Sequence, residues 1–314
     1  MMPAQESIAR LFKNIESVII GKPEAVKLAL LTLMARGHLL IEDVPGVGKT
    51  SLAQALAKSL DLDFHRIQFT NDILPTDITG VSIYDQEEKR FHFQKGPLFA
   101  NIVLADEINR STPRTQSALL EAMNEKQISV DNATYPLEDP FMVIATQNPT
   151  ESHGTYPLPE SQLDRFMMFI SMGYPSMEDE RWLLTRNPSR KNLADLNSVL
   201  GREELVKLQK QVDAVAIEPI LIDYILSILT ETRNSEHLSL GVSPRGGLIL
   251  QQAARANALF NGRDYCIPDD IKELAVPVLS HRVIPASHHR QSNRRLQDTA
   301  AVIINILDKI EIPV

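Results

Sequence analysis

The stretch Asp43–Ser51, which reads Asp-Val-Pro-Gly-Val-Gly-Lys-Thr-Ser, constrains the fold of this chain more than any other. A short apolar segment, His38–Ile41, precedes it, and a segment with leucine at every fourth position follows it. These patterns predict a buried strand before the stretch and an amphipathic helix after it. A glycine-rich turn between a strand and a helix directs backbone N–H groups toward a phosphate, which the helix N-terminus also attracts. We therefore interpret the stretch as a phosphate-binding loop in an α/β fold.

The residue types of this loop indicate how phosphate and metal would be bound. The residues expected to hold the phosphates are Pro45, Gly46, Val47, Gly48, Lys49, Thr50 and Ser51. The ammonium group of Lys49 can reach the outer phosphates, and the Thr50 hydroxyl can bind Mg²⁺. Asp43 occupies the position where the general pattern G-x-x-x-x-G-K-[ST] has its first glycine. Because the G-x-G-K-T half is intact, we interpret the loop as a variant Walker A motif.

Two further apolar runs end in polar residues that could take part in the hydrolysis of a bound phosphate group. Asn101–Ala105 is followed by Asp106 and Glu107, and neighbouring residues of a strand point to opposite faces, so the two acids can have different tasks. Asp106 can hold Mg²⁺ through water, as a Walker B aspartate does, and Glu107 can polarise an attacking water. A solvated acidic turn is the alternative, which the upstream phosphate-binding loop disfavours. The run Phe141–Thr146 leads to Asn148, whose amide can orient the water.

The remaining pattern predicts two hairpins and a helical second half. Alternating residues indicate hairpins at 81–93 and 127–137. We place the domain boundary near residue 174, with a nucleotide-binding α/β core at 1–174 and a helical domain at 175–314. Helices are expected over about 177–186, 202–214, 218–233, 244–260, 268–276 and 294–309. Ser243 and Pro244 are typical of a helix start and place Arg245 in the first turn.

Composition narrows the class of protein. With 314 residues, of which 43% are hydrophobic, the chain can form two globular domains with their own cores. The single cysteine excludes an internal disulfide framework and is typical of a reducing compartment. No apolar run approaches the ~20 residues of a membrane span, and the N-terminus lacks a signal-peptide profile, so we expect a cytoplasmic protein. A net charge of −8 argues against a broad nucleic-acid-binding face.

Taken in order, these motifs resemble those of the AAA+ ATPases and, more closely, of the MoxR family. The segments that carry the resemblance are Glu42–Thr50, Asp106–Arg110, Gln116–Met123 and Leu158–Phe166. The likeness extends over nearly the whole chain. It implies a P-loop AAA+ core with a five-stranded parallel sheet and helices on both sides, together with a smaller, all-helical lid domain. It also implies hydrolysis of ATP with Mg²⁺ as cofactor.

The resemblance further implies roles for individual polar residues. Asn148 corresponds to the sensor 1 asparagine and Arg245 to the sensor 2 arginine, which closure of the lid is expected to bring to the phosphates. Arg165 corresponds to the arginine finger that reaches the nucleotide of a neighbouring subunit. A guanidinium suits this task because phosphoryl transfer spreads negative charge over the γ-phosphoryl oxygens. Arg110 and Arg114 remain alternatives for the residue that acts in trans.

The resemblance also implies partners. Members typically form hexameric rings and act as chaperone-like factors for other proteins, often ones with a von Willebrand A domain. The sequence thus predicts a ring-forming ATPase that remodels a protein partner. A DNA-acting AAA+ motor or loader is one alternative, disfavoured by the acidic balance and by the lack of a recognisable helix-turn-helix or zinc module. A nucleotide-switched scaffold that hydrolyses ATP slowly is another, and the sequence leaves it open.

Overall fold

The apolar runs pair into a central sheet in a computed structural model, which describes residues 4–131, 133–148, 154–186, 191–286 and 295–313. The strands are β1 (Leu39–Glu42), β2 (Phe64–Gln68), β3 (Gly80–Asp85), β4 (Arg90–Lys95), β5 (Ile102–Asp106), β6 (Gln127–Val130), β7 (Ala133–Pro136), β8 (Met142–Gln147), β9 (Met168–Ile170), β10 (Leu238–Leu240) and β11 (Ile284–Pro285). The helices are α1 (Ala4–Glu16), α2 (Pro23–Met34), α3 (Lys49–Ser59), α4 (Pro75–Thr79), α5 (Pro113–Glu125), α6 (Glu160–Leu163), α7 (Met177–Arg186), α8 (Lys191–Ala194), α9 (Arg202–Ala214), α10 (Pro219–Asn234), α11 (Pro244–Phe260), α12 (Pro268–Leu279) and α13 (Arg295–Leu307). Short 3₁₀ helices lie at Pro97–Phe99, Ile108–Arg110 and Ser280–Arg282.

The central sheet has five strands in the order β2-β5-β8-β1-β9, and every neighbouring pair is parallel. This confirms the predicted five-stranded parallel sheet. Parallel strands read as continuous apolar runs because both faces of the sheet are covered. Since all five strands run in one direction, their carboxyl ends share one edge of the sheet, which we call the carboxyl edge. The opposite edge, where the strands begin, is the amino edge.

One apolar cluster packs on each face of the sheet. Leu39 and Ile41 of β1 point into the first cluster, whereas Leu40 points into the second, as expected for alternating strand residues. The first cluster also contains side chains of α1, α2 and α3 and continues into the helices beyond residue 200, for example through Leu205 and Leu250. These helices, α9 to α13, form what we call the helical region, which is therefore packed against this face of the sheet. The boundary near residue 174 stays a prediction.

The predicted hairpins and helices are present with small shifts at their ends. The pairs β3–β4 and β6–β7 are antiparallel, and they contact each other through the stacked rings of Phe93 and Tyr135, whose centroids lie 4.1 Å apart. The helical region also contains the antiparallel pair β10–β11, which the sequence did not predict. These strands have three and two residues, too few for a recognisable alternation. Among the described helices, none is both long and apolar enough to cross a membrane.

A buried histidine at the start of β1 joins three elements. The backbone N–H of Val143 donates to His38 Nδ1 at 3.0 Å, so Nε2 carries the proton and donates to the carbonyl of Met123 at 3.1 Å. Burial lowers the pKa of His38 from its ordinary 6.5 to about 4. The imidazole is therefore neutral in the folded protein at pH 7. Because unfolded His38 takes up a proton near pH 6.5, its contribution to stability is lost as the pH falls from about 6.5 to 4.

We predict that acidification from pH 7 to pH 5 costs the fold about 2 kcal/mol through His38 alone. The variant His38→Gln keeps an amide that can donate and accept but does not titrate. Urea unfolding of both proteins at the two pH values measures the difference: the wild type should lose about 2 kcal/mol more than the variant. Equal losses would mean that His38 does not cause the acid sensitivity.

Candidate nucleotide-binding site

The residues that follow β1, β5 and β8 meet in a pocket of about 340 Å³ at the carboxyl edge. Its walls are formed by Pro45, Gly46, Gly48, Lys49, Thr50, Ser51, Arg66, Asp106, Glu107 and Asn148. The structure thus brings together the predicted Walker A loop, the paired acids and the predicted sensor asparagine. In α/β proteins, ligands bind in crevices at the carboxyl ends of the strands. The pocket is the candidate site for nucleotide phosphates.

The loop has the backbone that a phosphate-binding turn needs. Gly46 and Gly48 adopt φ values of +88° and +100°, a region that favours glycine. Helix α3 begins at Lys49, and the first turn of an α-helix carries N–H groups that have no acceptor in the helix itself. Lys49 Nζ donates to the carbonyl of Asp43 at 2.6 Å. The side chain of Val47 packs against the first apolar cluster, which leaves its backbone N–H as the group expected to contact phosphate.

Asp43, the departure from the general loop pattern, ties the loop to the strand beside it. Its buried carboxylate oxygen Oδ2 accepts the N–H groups of Met172 at 2.7 Å and Gly173 at 2.6 Å, and the Ser171 hydroxyl at 3.0 Å. These three residues leave β9 toward the helical region. A glycine at position 43 would offer none of these bonds. The aspartate therefore fixes the position of the loop relative to this connection, a role that the motif alone does not indicate.

Thr146 holds both acids of the predicted Walker B motif. Its hydroxyl donates to Asp106 Oδ1 at 2.6 Å and accepts the backbone N–H of Glu107 at 2.9 Å. Glu107 adopts φ +57° and ψ 48°, a left-handed conformation that is costly for a residue with a side chain. The second carboxylate oxygen of Asp106 accepts two bonds from Arg66, at 3.0 Å and 2.6 Å. Both acids are therefore held in defined positions.

The Glu107 carboxylate is engaged as well. Its Oε2 accepts a bond from Gln68 Nε2 at 2.9 Å and pairs with Arg110 Nη1 at 2.9 Å. Arg110, an alternative for the residue acting in trans, thus contacts the site of its own chain. Arg66 and Gln68 were not predicted. They occupy alternate positions of β2, so their side chains point to the same face of the sheet. The register places Gln68 beside Asp106. The alternation of strand residues was therefore the sequence signal that could have indicated both residues.

Thr50 and Asp106 were predicted to hold Mg²⁺. Both line the same pocket, and a hydroxyl and a carboxylate are the hard oxygen donors that Mg²⁺ prefers. The residues therefore fit this ion. Asn148, which is buried at the end of β8, supplies a further polar group to the same pocket.

Arg165 and Arg245 lie at the other edge of the sheet. Arg165 precedes β9 and so belongs to the amino edge; its Nη1 donates to the carbonyl of Leu120 at 2.6 Å. It lines a second pocket of about 280 Å³ together with Asn124. Arg245 Nη2 donates to Asn124 Oδ1 at 3.3 Å, and its Nε lies 3.7 Å from Asp164 Oδ2. The two arginines thus share one surface, which we call the arginine face.

The position of Arg245 differs from expectation. Closure of the lid was expected to bring it to the phosphates, but the structure pairs it with Asn124 and Asp164 at the amino edge. At about 3.3 Å per residue, the length of β5 alone separates the two edges by roughly 15 Å. The physical reason is the docking of the helical region against the sheet, which places the start of α11 beside the end of α5. Arg114 is exposed in the first turn of α5.

A parallel sheet with a glycine-rich loop, paired acids and a polar residue on neighbouring strands, next to a helical region, is the arrangement expected of an AAA+ ATPase. Residues 38–168 match the family model "ATPase family associated with various cellular activities (AAA)", and residues 230–302 match the AAA lid domain. The chain is 41% identical to Chaperone MoxR1 of Mycobacterium tuberculosis, over 88% of this chain and 76% of that protein. The chain belongs to the MoxR family of AAA+ ATPases.

Two further comparisons cover almost the full chain. The uncharacterized protein YeaC of Bacillus subtilis is 46% identical over 98% of this chain and 95% of its own length. The crystal structure of a protein from Cytophaga hutchinsonii superimposes with a TM-score of 0.89 at 39% identity, and covers 99% of this chain and 96% of that one. Both the α/β part and the helical part of the fold are therefore shared with these relatives.

We predict that Asp43→Ala lowers the free energy of unfolding by about 2–4 kcal/mol, because donors of three residues lose their common acceptor. Ser171→Ala is the matched control, since it removes one hydroxyl donor and leaves both backbone bonds in place. Its cost should be about 1 kcal/mol or less. Urea unfolding of the two variants and the wild type measures these differences. Similar losses for the two variants would show that the backbone bonds to Asp43 contribute little.

Proposed function

We propose that this chain is a Mg²⁺-dependent ATPase that forms rings and uses hydrolysis to remodel a protein partner. The observation that carries this proposal is the division of the polar residues between the two edges of the sheet. The carboxyl edge holds groups for binding phosphate and activating water, namely Lys49, Glu107 and Asn148. The arginine face holds Arg165 and Arg245.

Binding of ATP would use the loop and its flanking groups. The backbone N–H groups of residues 46–51 and the Lys49 ammonium would hold the phosphates, with Pro45 shaping the start of the loop. Thr50 and Asp106 would hold Mg²⁺, which supplies positive charge against the phosphate oxygens. Because Lys49 Nζ contacts the Asp43 carbonyl in this structure, it would turn from that carbonyl toward the phosphates. The preference for ATP follows from membership of the family.

Hydrolysis requires a base near the terminal phosphate. Glu107 would accept the proton of the attacking water, which the Asn148 amide would help to orient. In this structure the Glu107 carboxylate is bonded to Gln68 and Arg110. Both bonds are accepted by Oε2, so Oε1 would be the oxygen that takes the proton of the water. The arrangement therefore favours a base whose orientation is fixed by groups of its own chain.

Completion of the site would come from a second copy of the chain. A head-to-tail contact joins two different surfaces and closes into a ring when the rotation permits. Such a contact would place the arginine face of one copy against the nucleotide pocket of the next. Arg165 and Arg245 would then both act in trans on the γ-phosphoryl charge. A hexamer is the ring size that the family resemblance implies.

The partner would be a protein. One relative is named a chaperone, and we propose a chaperone-like task for this chain as well. The hairpin β3–β4 offers a contact surface, because Ile83, Tyr84 and Phe91 are 49%, 50% and 70% exposed. A protein with a von Willebrand A domain is the kind of partner that the resemblance implies. The net charge of −8 favours a protein partner over nucleic acid, and a cytoplasmic location stays a prediction.

We predict that Lys49→Ala and Glu107→Gln have separable effects. Lys49→Ala removes the cation that holds the outer phosphates and should abolish nucleotide binding or turnover. Glu107→Gln is nearly isosteric and should bind ATP as the wild type does while its turnover falls at least about 100-fold. Isothermal titration with ATP and a phosphate-release assay distinguish the two. Wild-type turnover by Glu107→Gln would exclude Glu107 as the base.

We also predict that two inactive variants restore each other. Arg165→Ala should bind ATP but hydrolyse it slowly at all protein concentrations, whereas the specific activity of the wild type should rise with concentration. In a 1:1 mixture, Lys49→Ala subunits supply Arg165 to the intact loops of Arg165→Ala subunits. About one quarter of the wild-type sites should then be active in randomly mixed rings.

Activity of Arg165→Ala alone that equals the wild type would mean that the site is complete within one chain. If Arg114→Ala shows the predicted pattern instead, Arg114 is the residue that acts in trans.

A further inference from the structure

A buried arginine of the helical region holds the segment that carries Arg165. Arg282 lies in the 3₁₀ helix that follows α12, and 7% of its surface is exposed. Its guanidinium donates to the carbonyls of Asp164 at 3.2 Å and Met167 at 3.2 Å, and also to that of Phe166. Its Nε lies 2.9 Å from Asp164 Oδ1. The residues on both sides of Arg165 are therefore bound to one side chain of the other region.

Burial of an arginine is costly unless each of its donors is matched. Burial lowers the pKa of Arg282 to about 10, so the group stays charged at neutral pH. The carbonyl of Val278, one helical turn earlier, accepts a further bond. His281 beside it has its Nε2 3.1 Å from the Phe166 carbonyl. Most of the partners of this charge thus belong to the segment 164–167.

Asp164 lies between two arginines of the helical region. Its Oδ1 faces the buried Arg282, and its Oδ2 faces the half-exposed Arg245 at 3.7 Å. Arg165 is the next residue in the chain. The position of the helical region therefore determines where both arginines of the arginine face lie. A shift of the helical region would move Arg245 directly and Arg165 through its backbone.

Other ion pairs join the two regions without touching this segment. Arg36, which follows α2, pairs with Asp213 of α9 at 2.7 Å, and Lys27 of α2 pairs with Glu273 of α12. The two regions are thus also joined away from the segment 164–167. The contact made by Arg282 differs because its partners flank Arg165 on both sides.

We propose that Arg282 is a positioning residue, which holds Asp164–Met167 so that Arg165 and Arg245 face the nucleotide of the next copy together. This inference rests on the shared site of the proposed function. It makes hydrolysis in the next copy depend on how the helical region of this copy is docked.

The test uses Arg282→Met, which keeps a long apolar side chain without the charge, and Asp164→Asn, which is nearly isosteric. Each should bind ATP within about 3-fold of the wild type while turnover falls at least about 10-fold. Mixing with Lys49→Ala subunits should restore activity as it does for Arg165→Ala. Mixing with Arg165→Ala subunits should not. This pattern assigns the defect to the site of the neighbour.

Arg263→Gln is the matched control, because Arg263 pairs at 2.6 Å with the buried Asp270 inside the helical region. It should lower the unfolding temperature but leave turnover within about 3-fold of the wild type. If Arg282→Met and Asp164→Asn are not restored by Lys49→Ala, or if Arg263→Gln loses as much turnover, Arg282 has a structural role only. If Lys49→Ala and Arg165→Ala fail to restore each other, the proposal of a site shared between copies is contradicted, and so is the inference that rests on it.

Discussion

The parallel direction of all five central strands is the constraint on which the rest of this structure depends. It gathers every strand end at one edge, and with it the loop of residues 45–51, the paired acids and Asn148. The same geometry places the residues before each strand at the opposite edge, where Arg165 lies. The strands are too long for a side chain to span this separation. This separation supports the proposal that a site with groups from both edges is built from two copies.

Hydrogen bonds from side chains hold the carboxyl edge in place. Thr146 orients both acids, and Asp43 joins the phosphate-binding loop to the end of β9. Buried bonds of this kind are strong because little water competes with them. In the same pocket Asp106 is bonded to Arg66, and Glu107, the proposed base, is bonded to Gln68. Side chains of the same chain therefore fix both acids.

Much of this could be predicted from local patterns in the sequence. Apolar runs followed by polar residues predicted the strands and the carboxyl edge, and the glycines of the loop indicated the pocket that is the candidate phosphate site. To predict that Arg66 and Gln68 contact the paired acids, one would also have had to know the register between β2 and β5. Asp43 and Thr146 lie in segments that the sequence analysis identified. Their hydrogen bonds could not be predicted, because they link segments far apart in sequence. The location of Arg245 could not be predicted, because it depends on how the helical region docks on the sheet. The periodicity of a sequence carries no information on this docking.

Stability alone does not explain why an arginine is buried beside Asp164. Replacement of a buried ion pair by apolar residues of similar size is often neutral or stabilising, so packing would be served as well by leucine or methionine. What the guanidinium adds is a rigid, planar set of donors that fixes several acceptors at once. Here those acceptors flank Arg165, and the carboxylate among them also faces Arg245. The charge is thus placed where it orients other charges, and its desolvation is offset only in part by the same bonds that give Arg165 a defined direction.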